Sequence, residues 1–277
     1  MRPFLFFSPR GGAVRRTAPV RKTRAGCPCH GRSLIALALA GVISVAAAAA
    51  PRRFASGPNQ VSLIELYTSE GCSSCPPAEK WLAGRKNEPG LWRDFVPVAF
   101  HVDYWNRLGW TDRFSTRAFT QRQYDLAAAW GGDSVYTPCF VRDGAEWRTA
   151  GARDLRPRAT PTGRLAVEWD GATVRAEFTP VKPGAADDFE VHVALLGGGL
   201  VSKVTAGENS GETLRQEFVA LGLTSHPLAA NRADPVRRAE FLLPATTMKT
   251  APARALAAWV TRRGEFASVQ ATGGWLK

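Results

Sequence analysis

Two cysteines separated by two residues form the segment of the sequence best suited to chemistry. Cys72 and Cys75 enclose two serines, follow a short apolar run at 61–67 and are followed at once by Pro76. A proline in this place favours the first turn of a helix, because its missing N–H would have no partner there. The two thiols therefore lie at a predicted strand-to-helix junction, where unpaired backbone N–H groups stabilise a thiolate.

This placement predicts different roles for the two thiols. Cys72 is the expected attacking thiol, and Cys75 is the resolving thiol that closes the disulfide. A bridge across so short a loop adds little stability by restricting the unfolded chain, so a purely structural disulfide is the weaker explanation. The predicted working group is a redox-active disulfide, and no other cofactor is expected.

A proline further along the chain adds to the predicted site. Residues 135–138 read Val-Tyr-Thr-Pro before a predicted strand that begins at Cys139. Thioredoxin-like proteins place a cis-proline against the Cys-x-x-Cys motif at this point of the chain. Cis bonds are a few per cent of X-Pro bonds in folded proteins, so the order of dithiol and proline is what favours a cis bond here. Thr137 and Pro138 are therefore predicted site residues.

His101 and Asp103 are two further candidates. They follow the second predicted strand, 95–102, at the sheet edge where α/β proteins place their sites. An imidazole near Cys72 would stabilise its thiolate, and Asp103 would orient the ring or relay a proton. The alternative is that His101 only completes the strand.

The elements predicted around these residues alternate between strand and helix. Their order is strand, helix, strand, helix and strand, at 61–67, 76–85, 95–102, 116–130 and 139–141. Ser115 is the predicted N-cap of the second helix. An alternating order of this kind belongs to an α/β domain. Together with the dithiol and the proline it resembles a thioredoxin-like domain, so we predict an α/β thioredoxin-like domain over residues 61–157.

The chain changes character after about residue 158. Apolar and polar residues alternate on both sides of Asp170-Gly171, which is a strong hairpin signal. Further strand-like segments lie at 190–196, 200–204, 214–220, 239–243, 256–261 and 266–272. Helical periodicity is nearly absent, so we predict a mostly antiparallel, sandwich-like β domain over residues 158–277.

The positive charge of the chain is concentrated at its N-terminus. The formal net charge is +12, but residues 1–32 hold eight arginines and lysines and no acidic residue, which leaves +4 on the rest. Binding to nucleic acid is therefore not expected. An apolar run at 33–50 follows this basic stretch, as in a secretory signal peptide. We predict a signal peptide with a basic leader over residues 1–50 and a linker over 51–60.

The predicted export agrees with the number of cysteines. Loss of the leader removes Cys27 and Cys29 and leaves three cysteines, which is too few for a disulfide-stapled scaffold. We predict a periplasmic or secreted protein whose partners are protein thiols or disulfides. It would contact a membrane only through an uncleaved leader.

Several of these stretches resemble a known family. The exported bacterial proteins grouped as domain of unknown function 1223 are similar to VSLIELYTSEGCSSCPPAEKWL, VAFHVDYWNRLGWTDRFSTRAFTQRQ, VYTPCFVRDG and GENSGETL in this sequence. The resemblance implies a thioredoxin-like fold and runs from about Val61 nearly to the C-terminus, but it implies no particular reaction. Cys139 departs from the polar residue usual in relatives. A lone cysteine on a strand is most often a small buried hydrophobe.

Three functions fit these residues. The first is thiol–disulfide exchange through Cys72 and Cys75, which would make the protein an oxidoreductase. The second is copper or zinc binding or delivery by Cys72, Cys75 and His101, with Cys139 as a fourth ligand, because thiolates favour Cu(I) and Zn(II). The third is a non-catalytic binding module in which the fold is only a scaffold.

Overall fold

A computed structural model describes residues 50–148, 154–182, 188–231, 233–243, 246 and 251–276. The predicted signal peptide lies outside these residues except for its last position. Within the described ranges, no helix is both long enough and apolar enough to span a bilayer.

Strands dominate the described residues, which hold fifteen strands and two α-helices. The helices are α1 (Pro76–Ala83) and α2 (Arg117–Ala129). The strands are β1 (Arg52–Ala55), β2 (Ser62–Thr68), β3 (Phe95–His101), β4 (Cys139–Arg142), β5 (Ala145–Glu146), β6 (Gly163–Trp169), β7 (Thr173–Pro180), β8 (Phe189–Gly198), β9 (Leu200–Lys203), β10 (Thr213–Gln216), β11 (Val219–Pro227), β12 (Ala229–Asn231), β13 (Asp234–Leu242), β14 (Ala253–Arg262) and β15 (Ser268–Leu276).

The α/β thioredoxin-like fold class predicted from the sequence is wrong, because the structure is mostly β-sheet. One sheet of eight strands, in the order β15-β14-β8-β11-β3-β2-β4-β5, joins strands from both halves of the chain. At its centre β11 pairs parallel with β3, where Val219 lies opposite Ala99, and antiparallel with β8. The strands next to the dithiol are thus part of a large mixed sheet, and local sequence patterns do not reveal that pairing.

A second sheet of five strands, in the order β1-β6-β7-β13-β12, packs against the large sheet. Along β7 every second side chain is buried, as expected for a strand with one face on a core. The shared core takes apolar side chains from both sheets, among them Leu165, Val167, Phe178, Val193, Leu256 and Val260. Strand β1, in the predicted linker, pairs antiparallel with β6.

The two parallel strands beside the dithiol are buried on both faces. Every residue of β2 and β3 is buried, which explains why both read as nearly continuous apolar runs. On one face Tyr67 stacks on Phe100, which in turn contacts Phe119 of α2 at a ring distance of 5.0 Å. Since side chains alternate along a strand, the next residues, Thr68 and His101, lie on the opposite face.

Candidate active site around Cys72 and Cys75

The dithiol lies in the turn between β2 and α1. The N–H of Cys72 donates to the Ser69 carbonyl, and the N–H of Cys75 donates to the Cys72 carbonyl, both at 3.2 Å. Cys75 is the N-cap of α1, and Pro76 is its first helical residue. The helix therefore begins directly after the second cysteine, and the first cysteine lies in the turn before it.

Cys72 and Cys75 are both free thiols, and their pKa values are shifted in opposite directions. A hydrogen bond from Cys75 lowers the pKa of Cys72, whereas burial raises it. Hydrogen bonds from Ser74 and Thr137 lower it further, so that the pKa of Cys72 is about 6. Burial and the neighbouring Cys72 raise the pKa of Cys75 far above its usual range. At neutral pH Cys72 is therefore mostly thiolate and Cys75 is protonated, as a pair of attacking and resolving thiols requires.

Neither sulfur is open to solvent. Cys72 and Cys75 are both 0% exposed, whereas Ser73 and Ser74 between them are exposed. The Cys72 sulfur lies 3.2 Å from the Ser74 hydroxyl and 3.8 Å from the Thr137 carbonyl. A partner can reach Cys72 only after this cover moves.

The Thr137–Pro138 peptide bond is cis, as predicted, and lies directly before β4. The Thr137 carbonyl faces the dithiol turn, because its oxygen lies 3.8 Å from the Cys72 sulfur and 3.5 Å from the Ser74 hydroxyl. The Thr137 hydroxyl accepts from the Trp105 indole N–H at 2.7 Å. Trp105 thus fixes the side chain of Thr137 beside the dithiol.

His101 lies at the end of β3, and its partner is Asp112. Nδ1 of the ring is 2.7 Å from the Asp112 carboxylate, and both side chains are 0% exposed. Burial lowers the pKa of His101, but Asp112, followed by Glu79 and Glu70, raises it to about 9. The ring is therefore a buried imidazolium at neutral pH. Among the described residues, no hydrogen bond joins it to either cysteine.

Asp103 points toward α2 and not toward the imidazole. Its carboxylate accepts from the Thr120 hydroxyl at 2.6 Å, and its backbone N–H donates to the same hydroxyl at 3.0 Å. Asp103 therefore attaches the loop after β3 to α2. The sequence suggests that Asp103 orients the His101 ring, but in the structure Asp112 has this role. No short sequence motif indicates Asp112.

A buried carboxylate that the sequence analysis missed lies behind Cys75. Glu79 accepts from the Thr68 hydroxyl at 2.6 Å and from the Gln216 amide at 3.0 Å, and burial raises its pKa. Thr68 also acts on Cys75, because a hydrogen bond from Thr68 lowers the pKa of the Cys75 thiol against the larger effect of burial. The spacing of Glu79 could have revealed it. Glu79 follows Cys75, the N-cap of α1, by four residues, and residues four apart lie on the same face of a helix.

The turn between β9 and β10 reaches across to the dithiol loop. The Glu208 carboxylate accepts from the Ser73 N–H at 2.9 Å and from the Ser73 hydroxyl at 2.8 Å. The Asn209 side-chain amide donates to the carbonyls of Glu70 and Cys72 at 2.9 and 3.0 Å. Both residues belong to the GENSGETL stretch. The dithiol loop is therefore held by a segment that lies 135 residues after Ser73 in the sequence. Their sequence distance explains why they were not predicted as site residues.

Cys139 begins β4 and lies opposite Tyr67 of β2. It is 2% exposed, and burial raises its pKa to about 11. The thiol is therefore protonated at neutral pH and packs as a small apolar side chain.

The alternative metal site needs at least three ligands that converge. In the part of the chain that the structure describes, no group of three or more His, Cys, Asp or Glu side chains is arranged to hold a metal ion. The structure brings Cys72 and Cys75 together, whereas Nδ1 of His101 is bonded to Asp112. Cys139 makes a sulfur contact with the Phe140 carbonyl at 3.9 Å.

Two solved structures share the fold. A protein of Agrobacterium tumefaciens, solved by a structural genomics consortium, has a TM-score of 0.55 and 22% identity, with 78% of this chain and 95% of that chain covered. HBP35 of Porphyromonas gingivalis has a TM-score of 0.54 and 10% identity, with 80% and 76% covered. At these identities the likeness concerns the fold alone. No curated protein sequence matches this chain.

The family, in contrast, follows from the sequence directly. The model of a family described as "Protein of unknown function (DUF1223)" matches residues 63–261, which include the dithiol, the cis-proline and the GENSGETL stretch. This match confirms the resemblance noted from the motifs. The chain belongs to the DUF1223 family.

Proposed function

We propose that this protein carries out thiol–disulfide exchange through Cys72 and Cys75. The observation that carries the proposal is a pair of free, buried thiols in one turn before α1, of which only Cys72 has a lowered pKa. The predicted leader supports protein thiols or disulfides in the periplasm, or outside the cell, as the partners.

In the reducing direction the reaction has two steps. The Cys72 thiolate attacks one sulfur of a partner disulfide, that bond breaks, and the other partner sulfur leaves as a thiolate. The Cys75 thiol then loses its proton and attacks the Cys72 sulfur, which releases the second partner thiolate and forms the Cys72–Cys75 disulfide. The partner gains two electrons and the dithiol loses two. Oxidation of a partner dithiol is the reverse sequence.

The second step needs a proton acceptor, because the pKa of Cys75 is raised. Thr68 and Glu79 supply a path in which the Cys75 proton moves to the Thr68 oxygen as the Thr68 proton moves to the Glu79 carboxylate. A carboxyl group with a raised pKa is a better acceptor near neutral pH than an ordinary one. Glu79 is therefore the proposed general base for Cys75.

The first step needs access to Cys72. Its sulfur is covered at the surface by Ser74, which is itself exposed, and by the Thr137 carbonyl. A short loop with exposed side chains can shift without disturbing the β-sheet core. Partner binding therefore includes a local displacement of the Ser73–Ser74 segment.

The proposal is tested by serine variants of the three cysteines. The reduced full chain is given a fluorogenic peptide disulfide with dithiothreitol as the electron source. Cys72→Ser should abolish turnover above the dithiothreitol background, and the control variant Cys139→Ser should keep wild-type turnover. When the reduced Cys75→Ser protein is mixed with the peptide disulfide without dithiothreitol, it should accumulate a mixed disulfide. Full turnover by Cys72→Ser would show that the reaction does not use this dithiol.

A further inference from the structure

We propose that the turn Gly207–Gly211 is a latch that holds the dithiol loop in its covered conformation. Glu208 is the contact of the latch that a partner displaces, and Asn209 is its permanent anchor. This inference rests on the proposed exchange reaction at Cys72 and assigns the GENSGETL stretch a role in controlling access to it.

The anchor is the side chain of Asn209. It is 6% exposed, and its amide donates to the backbone carbonyls of Glu70 and Cys72. A buried amide that leaves such a position loses both hydrogen bonds without gaining water in exchange, so this contact persists.

The turn itself is well ordered by its own backbone. The Gly211 N–H donates to the Val204 carbonyl, and the Val204 N–H donates to the Glu212 carbonyl, both at 2.9 Å. Gly207 and Gly211 have φ values of 77° and 91°, which glycine adopts without strain. The turn can therefore hold Glu208 and Asn209 in fixed positions against the loop.

The releasable contact is that between Glu208 and Ser73. Both residues are exposed, and hydrogen bonds from the N–H and hydroxyl of Ser73 lower the pKa of Glu208, so the carboxylate is charged at neutral pH. Water competes for exposed contacts of this kind, and breaking them costs little. The contact thus opens more easily than the buried Asn209 anchor.

The Glu208 carboxylate also occupies the donors that a partner would meet first. The N–H and hydroxyl of Ser73 lie next to Cys72 at the surface, and both are bonded to Glu208. A partner segment that offers a carbonyl or carboxylate oxygen beside its disulfide can replace Glu208 at Ser73. Loss of the Glu208 contact then frees the Ser73 N–H and hydroxyl, so that the Ser73–Ser74 segment can shift while Asn209 still holds the Cys72 carbonyl.

The latch is tested by the rate at which iodoacetamide alkylates Cys72 in the reduced full chain carrying Cys139→Ser. Glu208→Ala should react about fivefold faster than the parent, because the exposed hydrogen bonds from Ser73 to the Glu208 carboxylate are lost. Glu208→Gln, which keeps an acceptor oxygen, should give a smaller increase. Glu212→Ala removes an exposed carboxylate at the other end of the same turn and should react at the parent rate.

Thermal unfolding separates the latch from a purely structural role. Glu208→Ala should melt at the temperature of the parent, whereas Asn209→Ala should melt lower, because the buried carbonyls of Glu70 and Cys72 lose the donor that Asn209 supplies. An unchanged alkylation rate in both Glu208 variants overturns the latch. Alkylation needs no disulfide partner, so this result is independent of whether Cys72→Ser abolishes exchange.

Discussion

The dithiol loop has a surface side and a buried side, and the two sides are built from different contacts. At the surface, exposed serines meet the exposed carboxylate of Glu208. On the buried side, Thr68, Glu79 and the His101–Asp112 pair are almost completely enclosed. Exposed polar contacts open at little cost, whereas buried charged ones are expensive to break. The surface side therefore suits control of access, and the buried side suits proton transfer and stability.

The largest effect is expected where a buried charge loses its partner. Asp112→Ala should destabilise the protein by about 3–5 kcal/mol, because the buried His101 would lose the carboxylate that stabilises its charge. Asp103→Ala is the matched control and should cost only about 1 kcal/mol, since Asp103 mainly bonds Thr120. Urea unfolding measures both values. An equal loss of unfolding free energy in the two variants would show that the His101–Asp112 pair stabilises the fold no more than the Asp103–Thr120 hydrogen bond.

The buried side also predicts a pH dependence of stability. The pKa of His101 is about 9 in the folded chain and 6.5 when unperturbed, so its stabilising contribution is complete below pH 6.5 and is lost as the pH rises through 9. This difference corresponds to about 3 kcal/mol. Glu70 and Glu79, whose charges also raise the pKa of His101, have raised pKa values themselves and act in the same direction.

The thiol Cys72 works against this trend, because its lowered pKa adds stability as the pH rises from 6 to 9. Unfolding should therefore be followed in the Cys72→Ser background, where the free energy of unfolding should fall between pH 6.5 and 9. Replacing Asp112 by Asn in that background should remove most of the fall. A flat profile in the Cys72→Ser protein would contradict a buried imidazolium.

A smaller effect is expected on the resolving step. When Cys72 carries a thionitrobenzoate group, attack by Cys75 releases a coloured thiolate. Glu79→Gln should slow this release roughly a hundredfold at neutral pH, and Thr68→Val should slow it similarly, because either change interrupts the proton path. The rate should recover at alkaline pH, where hydroxide replaces the base.

The control for the resolving step is the alkylation rate of Cys72, which precedes any proton transfer from Cys75. It should be unchanged in Glu79→Gln and Thr68→Val. Release at the wild-type rate in both variants would remove Glu79 from the mechanism and leave the dithiol reaction itself intact.

The smallest effect concerns the hydroxyl of Ser74. Ser74→Ala removes a donor 3.2 Å from the Cys72 sulfur and should raise the pKa of Cys72 toward its ordinary value, with about twofold slower alkylation at pH 6. Ser73→Ala removes the neighbouring hydroxyl, which faces Glu208, and should leave the pKa of Cys72 unchanged. Identical pH profiles for the two variants would contradict the separate orientation of these serines.

Local signals predicted most elements near the dithiol within one or two residues. The apolar run before the motif is β2, and the helix that begins at Pro76 is α1. The second helix begins one residue later than expected, with Thr116 and not Ser115 as its N-cap, because the Thr116 hydroxyl accepts from the Phe119 N–H. Short-range hydrogen bonding and periodicity are enough for such predictions.

The sheet that joins these elements could not be predicted in the same way. The run at 214–220 reads as one strand, but the structure divides it into β10 and β11 at Phe218, whose φ of 59° is uncommon for an aromatic residue. That break turns β11 back between β3 and β8 and unites both halves of the chain. The pairing depends on contacts between distant segments, which periodicity does not report.

The residues of the candidate site also differ in whether local sequence signals predict them. Cys72, Cys75 and the cis-proline follow from short motifs, and Glu79 carries a spacing signal along its helix. Asp112 and Asn209 carry none, because loops position them and their partners lie 11 residues away or more.

The central claim is that, of Cys72, Cys75 and Cys139, only Cys72 is ionised at neutral pH, and the pH dependence of its alkylation tests this most directly. In the reduced Cys139→Ser chain, the rate should rise with a midpoint near pH 6. A midpoint near pH 9, as for an unperturbed thiol, would contradict an activated dithiol in this protein.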